Sequence, residues 1–168
     1  AYLYTDTLLD ESFETDISYQ RFEHLLGRAD RSAEEFYTVF RKNEEEFSNQ
    51  PIKHMSRLTQ KLLSGIDYDT IAAIRRQNFD ILHSHLKHSN QLKADLEIEA
   101  VPMTYPLLVS DGGQLREKLI QNRIYVATYW PNVLKWCDEK LLENKMTKEI
   151  IFLPIDQRYD EVEMKCII

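Results

Sequence analysis

Glycine is scarce in this chain of 168 residues: only Gly27, Gly65, Gly112 and Gly113 occur. Loops that cradle a phosphate need glycine so that backbone N–H groups can close on the anion. Neither G-x-G-x-x-G nor G-x-x-x-x-G-K-[ST] is present, so the chain builds no glycine-rich cofactor loop of its own. Cysteine is nearly absent too. Cys137 and Cys166 form neither a disulfide framework nor a zinc pattern, and they read as reduced thiols. The 21 basic residues stand against 28 acidic ones, a formal net charge of -7, which disfavours general nucleic-acid binding. No apolar run approaches the roughly 20 residues of a membrane span, and the opening residues do not read as a signal peptide. The expectation is a cytoplasmic protein with no nucleic-acid and no membrane partner.

What is present is an ordinary globular balance, 43% hydrophobic and 29% charged, and a chain of this size can bury a core without staples. Residues 1–6, "AYLYTD", begin as a short strand-like run. Residues 18–48 read as helical, with Ser32 and Glu35 as a capping box. A helix over 55–63 is predicted to stop at Ser64-Gly65, with Gly65 in the left-handed position. Asp67 caps a helix over about 68–88, whose apolar face holds Ile71, Ile74, Phe79, Ile81 and Leu82.

From Ala100 the pattern reads β-α-β-α-β-α. A strand over 101–109 carries Pro102 and Pro106, which suit an edge. A helix runs to Gln121, a strand over 124–127, and helices over 133–137 and 139–148. A strand over 150–154 precedes a helix capped by Asp160 with Glu163. The predicted fold class is α+β: a helical first half, then a small layer with a three- to four-stranded, mainly antiparallel sheet.

Several constellations could carry chemistry. "HSHLKH" places His83, His85 and His88 within six residues, but a helical metal pair wants i, i+4 spacing and only His85 and His88 share a face. A solvated helix end is the simpler reading, and a metal-dependent enzyme built on His85 and His88 is its rival. Arg75 and Arg76 are expected to pair with Asp69 and Asp80 on a helix surface. "TYWP" (128–131) and "LPIDQRY" (153–159) end strands, where sites are usually built. Tyr129 and Trp130 could stack on a ring or sugar, and Arg158 could meet an anion. Alternatively, Trp130 and Trp136 pack helices onto the sheet.

In order and spacing, "VPMTYPLLVSDGGQLREKLIQNRIYVATYWPNVLKW" followed by "IIFLPIDQRYDEVEM" resembles the C-terminal small domain of the DegT/DnrJ/EryC1/StrS aminotransferases. These are fold-type-I, pyridoxal-phosphate (PLP) enzymes of sugar-nucleotide pathways. Leu115, Arg116, Leu119 and Ile124 match the family's L-R-x-x-L helix. Tyr129-Trp130-Pro131 stands where a His-Tyr-Pro-like motif ends a strand, and Leu153-Pro154 matches an L-P strand. "HMSRLTQKLL" (54–63) is similar to an R-M-S-x-L helix through Met55, Ser56 and Leu58, and "RRQNFDIL" (75–82) to the R-R helix after it. The chain departs from the pattern at Ile52, His54 and Tyr129, where the family has Asn, Arg and His. That asparagine commonly reaches the cofactor phosphate of the other subunit.

The resemblance implies a tail of a large-domain sheet at 1–17, a helical connecting and dimerisation segment at 18–66, and the small domain at 67–168. "GAYLY"-like segments follow the Schiff-base lysine in one branch of the family, so that lysine is expected upstream of Ala1. No catalytic, cofactor-binding or metal-binding residue is then expected here, and PLP belongs to the full-length parent rather than to this chain alone. The implied substrate contacts are Tyr129, Trp130, Pro131 and Arg158, with the two rings on the small-domain wall of a cleft. Those rings would supply shape and stacking, since neither titrates near neutrality. The implied partners are a second copy, in a homodimer, and a small keto substrate such as a sugar nucleotide. The implied function is aminotransfer by the whole protein, with this chain inactive alone. The alternative is a stand-alone, non-catalytic binding or dimerisation module with a helical interface through residues 33–63.

Overall fold

Asp67 starts the longest helix because its carboxylate accepts from the Thr70 amide at 3.0 Å, satisfying one of the orphan N–H groups of a helix start. The computed structural model describes residues 5–7, 12–47 and 50–168. The chain divides into two compact units, Ala1–Ile66 and Asp67–Ile168.

The second unit contains α4 (Tyr68–Leu86), β1 (Thr104–Leu108), α5 (Gly112–Gln121), α6 (Val133–Trp136), α7 (Leu142–Glu149), β2 (Ile150–Pro154) and α8 (Glu161–Ile167). β1 and β2 pair antiparallel, with Tyr105 opposite Leu153 and Leu107 opposite Ile151. Those four side chains share one face of the sheet and are buried with Phe79 and Leu82 of α4 and Met164 of α8. Each such burial contributes about 1.5–3 kcal/mol. Pro106 opposite Phe152 lies on the other face.

The fold is α+β, but the sheet among the described residues has two strands, not the three or four expected. The strand expected over 124–127 is reduced to one bridge, Ala127 to Phe152. Extending that register would set Tyr125 opposite Pro154, which has no N–H to give. At the other end, Arg116 donates to the Ile150 carbonyl at 2.7 Å, and Trp130 leaves the extended region with a φ of 52°. The strand-like run at residues 1–4 lies outside the described residues.

The free edge of β1 is occupied by side chain and loop, as its proline suggests. Asn90 donates to the Pro106 carbonyl at 2.8 Å and accepts from the Leu108 amide at 3.0 Å. Arg75 and Arg76 do not make the expected surface ion pairs. They donate to four carbonyls, those of Pro102, Met103, Ala100 and Glu99, at 3.0–3.2 Å. The irregular loop before β1 lies along their face of α4, and its unpaired carbonyls need donors.

The first unit holds a 3-10 turn (Tyr19–Phe22), α1 (Glu23–Asp30), α2 (Tyr37–Phe47) and α3 (Arg57–Ser64). The long helix expected over 18–48 breaks at residues 31–36. Ser32 accepts from the Glu35 amide at 3.2 Å, but the Glu35 side chain turns to Arg31 at 2.6 Å, so the capping box never closes. Ser56 caps α3 by accepting from the Thr59 amide at 3.1 Å. Gly65 ends α3 without the expected left-handed turn, at a φ of -91°. Among the described residues this unit buries only Ser18 and Ser56, whose hydroxyls lie 2.6 Å apart. None of its described apolar side chains is buried, although helices of 8 to 11 residues depend on packing for stability.

Candidate functional site

Adjacent residues of an extended chain point to opposite sides. Tyr129 and Trp130 do not, because Trp130 adopts a left-handed backbone, with a φ of 52°. Both rings therefore meet Phe152 of β2. The Tyr129 ring lies 4.6 Å from it, tilted by 58°, and the Trp130 ring lies 6.4 Å away, edge-on at 78°. The two rings are 5.8 Å from each other. A left-handed non-glycine residue costs about 1–2 kcal/mol, and aromatic contacts worth about 0.5–1.5 kcal/mol each offset it.

Tyr129 and Phe152 are half-buried, while Trp130 is 65% exposed. The trio is an open wall with an indole at its rim. Trp136 is 77% exposed, so the alternative in which both tryptophans pack helices onto the sheet does not hold. Pro131 is exposed and starts the turn into α6, where Val133 donates back to the Trp130 carbonyl at 2.9 Å. Phe152 was not legible as a site residue. In "IIFLP" all five residues are apolar, so nothing in the segment says which face carries the wall.

Arg158 does not join this wall. Its Nε and Nη2 donate to the two carboxylate oxygens of Asp156 at 2.7 and 2.8 Å. The hydrogen bond from Arg158 holds the Asp156 carboxyl below its usual range, and the same bond holds the guanidinium more firmly charged. Arg158 has two of its five N–H donors engaged by Asp156, and its side chain is 57% exposed. It borders a cleft of ≈ 250 Å³ with Asn78, Gln77 and Tyr159.

A cleft of ≈ 460 Å³ lies within the first unit, between the Asp16–Arg21 ion pair and Phe22, Phe47, His54 and Thr59. Its polar groups are largely spent on one another. Arg21 is paired with Asp16, and the hydroxyls of Ser18, Ser56 and Thr59 bond among themselves at 2.6–3.3 Å.

The histidines disperse. The ring of His83 contacts the buried Tyr105 hydroxyl at 3.3 Å, and His85 Nδ1 lies 2.9 Å from the Ile81 carbonyl. Among the described residues no group of three or more His, Cys, Asp or Glu could hold a metal ion. Every lysine is described and every one is exposed. None has the dry surroundings that a Schiff-base lysine takes, so the residues present do not fit PLP, and no chemical step is assigned through it. Comparisons of the chain with protein-family models, curated proteins and solved structures find no match.

Proposed function

We propose that this chain is the C-terminal small-domain part of a PLP-dependent aminotransferase-like protein. In that protein Tyr129, Trp130 and Pro131 line the substrate side of the cleft, and the substrate is a sugar nucleotide or a similar small keto compound. The chain alone is not catalytic. The observation that carries the reading is the ring trio at the end of the 124–127 segment. It is held by a strained backbone and left open to solvent, and the sequence resemblance is what assigns Tyr129-Trp130-Pro131 to a cleft wall. Backbone strain of this kind persists where the surroundings enforce it, and it clusters at functional sites. Arg158 follows the Pro154 end of β2, whereas the Ala127 bridge runs Tyr129 and Trp130 toward the Ile150 end, so Arg158 is a separate candidate contact for an anionic group.

The first unit supports the accompanying proposal of a homodimer. Tyr37, Phe40, Leu58 and Leu62 are exposed on its helices, and none of its described apolar side chains is buried. This surface equally fits the alternative, a stand-alone dimerisation module, and the two differ in whether the aromatic wall takes a ligand.

The test is a titration of the chain with uridine diphosphate glucose up to about 10 mM, followed by tryptophan emission. A wall lacking the rest of its cleft should bind with a Kd on the order of 1 mM. The response should survive Trp136→Phe and vanish in Trp130→Ala. No response, or one that persists without Trp130, overturns the substrate reading.

A further inference from the structure

Phe152 sits mid-strand between Ile151 and Leu153, which are both buried in the core. By alternation it faces the opposite side of the sheet, where Pro106 lies across the pair and the Ala127 bridge flanks it. Both neighbours are small or rigid, so the Phe152 ring has room on that face. Tyr129 and Trp130 fill it, one tilted and one edge-on. Their positions depend on this ring, since the segment that carries them has one bridge to the sheet.

We propose that Phe152 is the positioning and specificity-determining residue of the wall. It is the platform that gathers Tyr129 and Trp130 on one side, so that the exposed indole offers a fixed face to a flat ring. The ligand class is a molecule with a stackable ring face, supplied by a nucleobase or by a sugar ring. The ligand part rests on the function proposed above, whereas the platform role stands on geometry alone. Leucine at this position would keep the strand and its apolar face but remove the flat ring that an edge-on indole needs. Tyrosine would keep the ring.

The experiment uses the chain carrying Trp136→Phe, so that Trp130 is the one tryptophan observed. The first readout is the indole N–H resonance of Trp130, which the rings of Phe152 and Tyr129 displace from the position of a free indole. Phe152→Leu should return it to the free position while the thermal unfolding midpoint stays close to that of the parent, and Phe152→Tyr should keep it displaced. The second readout is affinity for uridine diphosphate glucose and for uridine diphosphate. Phe152→Leu should lose roughly five-fold or more and Phe152→Tyr should keep it. Equal binding of both ligands assigns the stack to the base, and binding only of the glucose conjugate assigns it to the sugar. An unmoved indole resonance in Phe152→Leu overturns the platform. A displaced resonance with unchanged affinity overturns the specificity role. If the Trp136→Phe chain itself ignores both ligands, the substrate reading and the ligand half of this proposal fall together, and the resonance alone decides the platform.

Discussion

The Arg158 guanidinium and the Asp156 carboxylate meet fork to fork, with two bonds of 2.7 and 2.8 Å across a two-residue turn. This pair tightens the turn after β2, where Arg158 also donates its backbone N–H to the same carboxylate at 3.1 Å.

Because the folded state lowers the Asp156 pKa, its contribution to stability is complete above the unfolded value, near 4. It is lost as the pH falls through the lowered folded value. Asp156→Asn should therefore flatten the loss of stability below about pH 4, with the effect kept modest by the exposure of Arg158. Unfolding midpoints of the parent and the variant at a series of acidic pH values check this. Parallel curves would contradict it.

Asn78 makes the same turn expensive to lose from within. It is 1% exposed, and its amide points at the carbonyls of Tyr159 at 3.0 Å, Ile155 at 3.3 Å and Asp156 at 3.4 Å. Asn78→Ala should cost about 2–3 kcal/mol in a urea titration, since buried carbonyls lose their donor and a small cavity remains.

Two neighbouring glycines should answer alanine in opposite ways. A Cβ at Gly112 would collide with the backbone carbonyl of Glu149, while one at Gly113 meets nothing. Gly112→Ala should destabilise by about 3 kcal/mol. Gly113→Ala, on an open helix position, should stabilise by about 0.5–1 kcal/mol.

Trp130 offers a separation of backbone from ring. Trp130→Gly relieves the left-handed strain and should be more stable than Trp130→Ala by about 1 kcal/mol. Both should abolish the emission response to uridine diphosphate glucose. Equal stability of the two would mean that the left-handed turn is not maintained without the indole.

The first unit should self-associate through its helices. Sedimentation is expected to show a dimer whose dissociation constant rises at least roughly ten-fold in Leu58→Asp or Phe40→Asp, about 1.4 kcal/mol of interface. A monomer at high concentration would count against the interface.

Local signals in the sequence transferred well to the structure. Asp67 and Ser56 cap the helices that their positions imply, and Asp160 with Glu163 closes a full capping box. "IIFLP" is a strand over the predicted residues. Signals that depend on distant partners did not transfer. The third strand fails because its register meets Pro154 and a carbonyl already held by Arg116, neither of which lies within the segment itself. Arg75 and Arg76 find loop carbonyls because a loop happens to run beside them. Although the strand they were expected to end is a single bridge, Tyr129 and Trp130 of the candidate site were legible as neighbouring rings. The left-handed turn that brings both onto one side was not, because tryptophan carries no preference for it, and Phe152 stayed hidden with it.

The measurement that bears most directly on the central claim is the intact mass of the native gene product, taken with its absorbance near that of bound PLP. The account predicts a species about twice the mass of this chain, carrying PLP on a lysine outside these 168 residues. A native product of 20.0 kDa without the cofactor would contradict it, and would turn the search toward a binding partner.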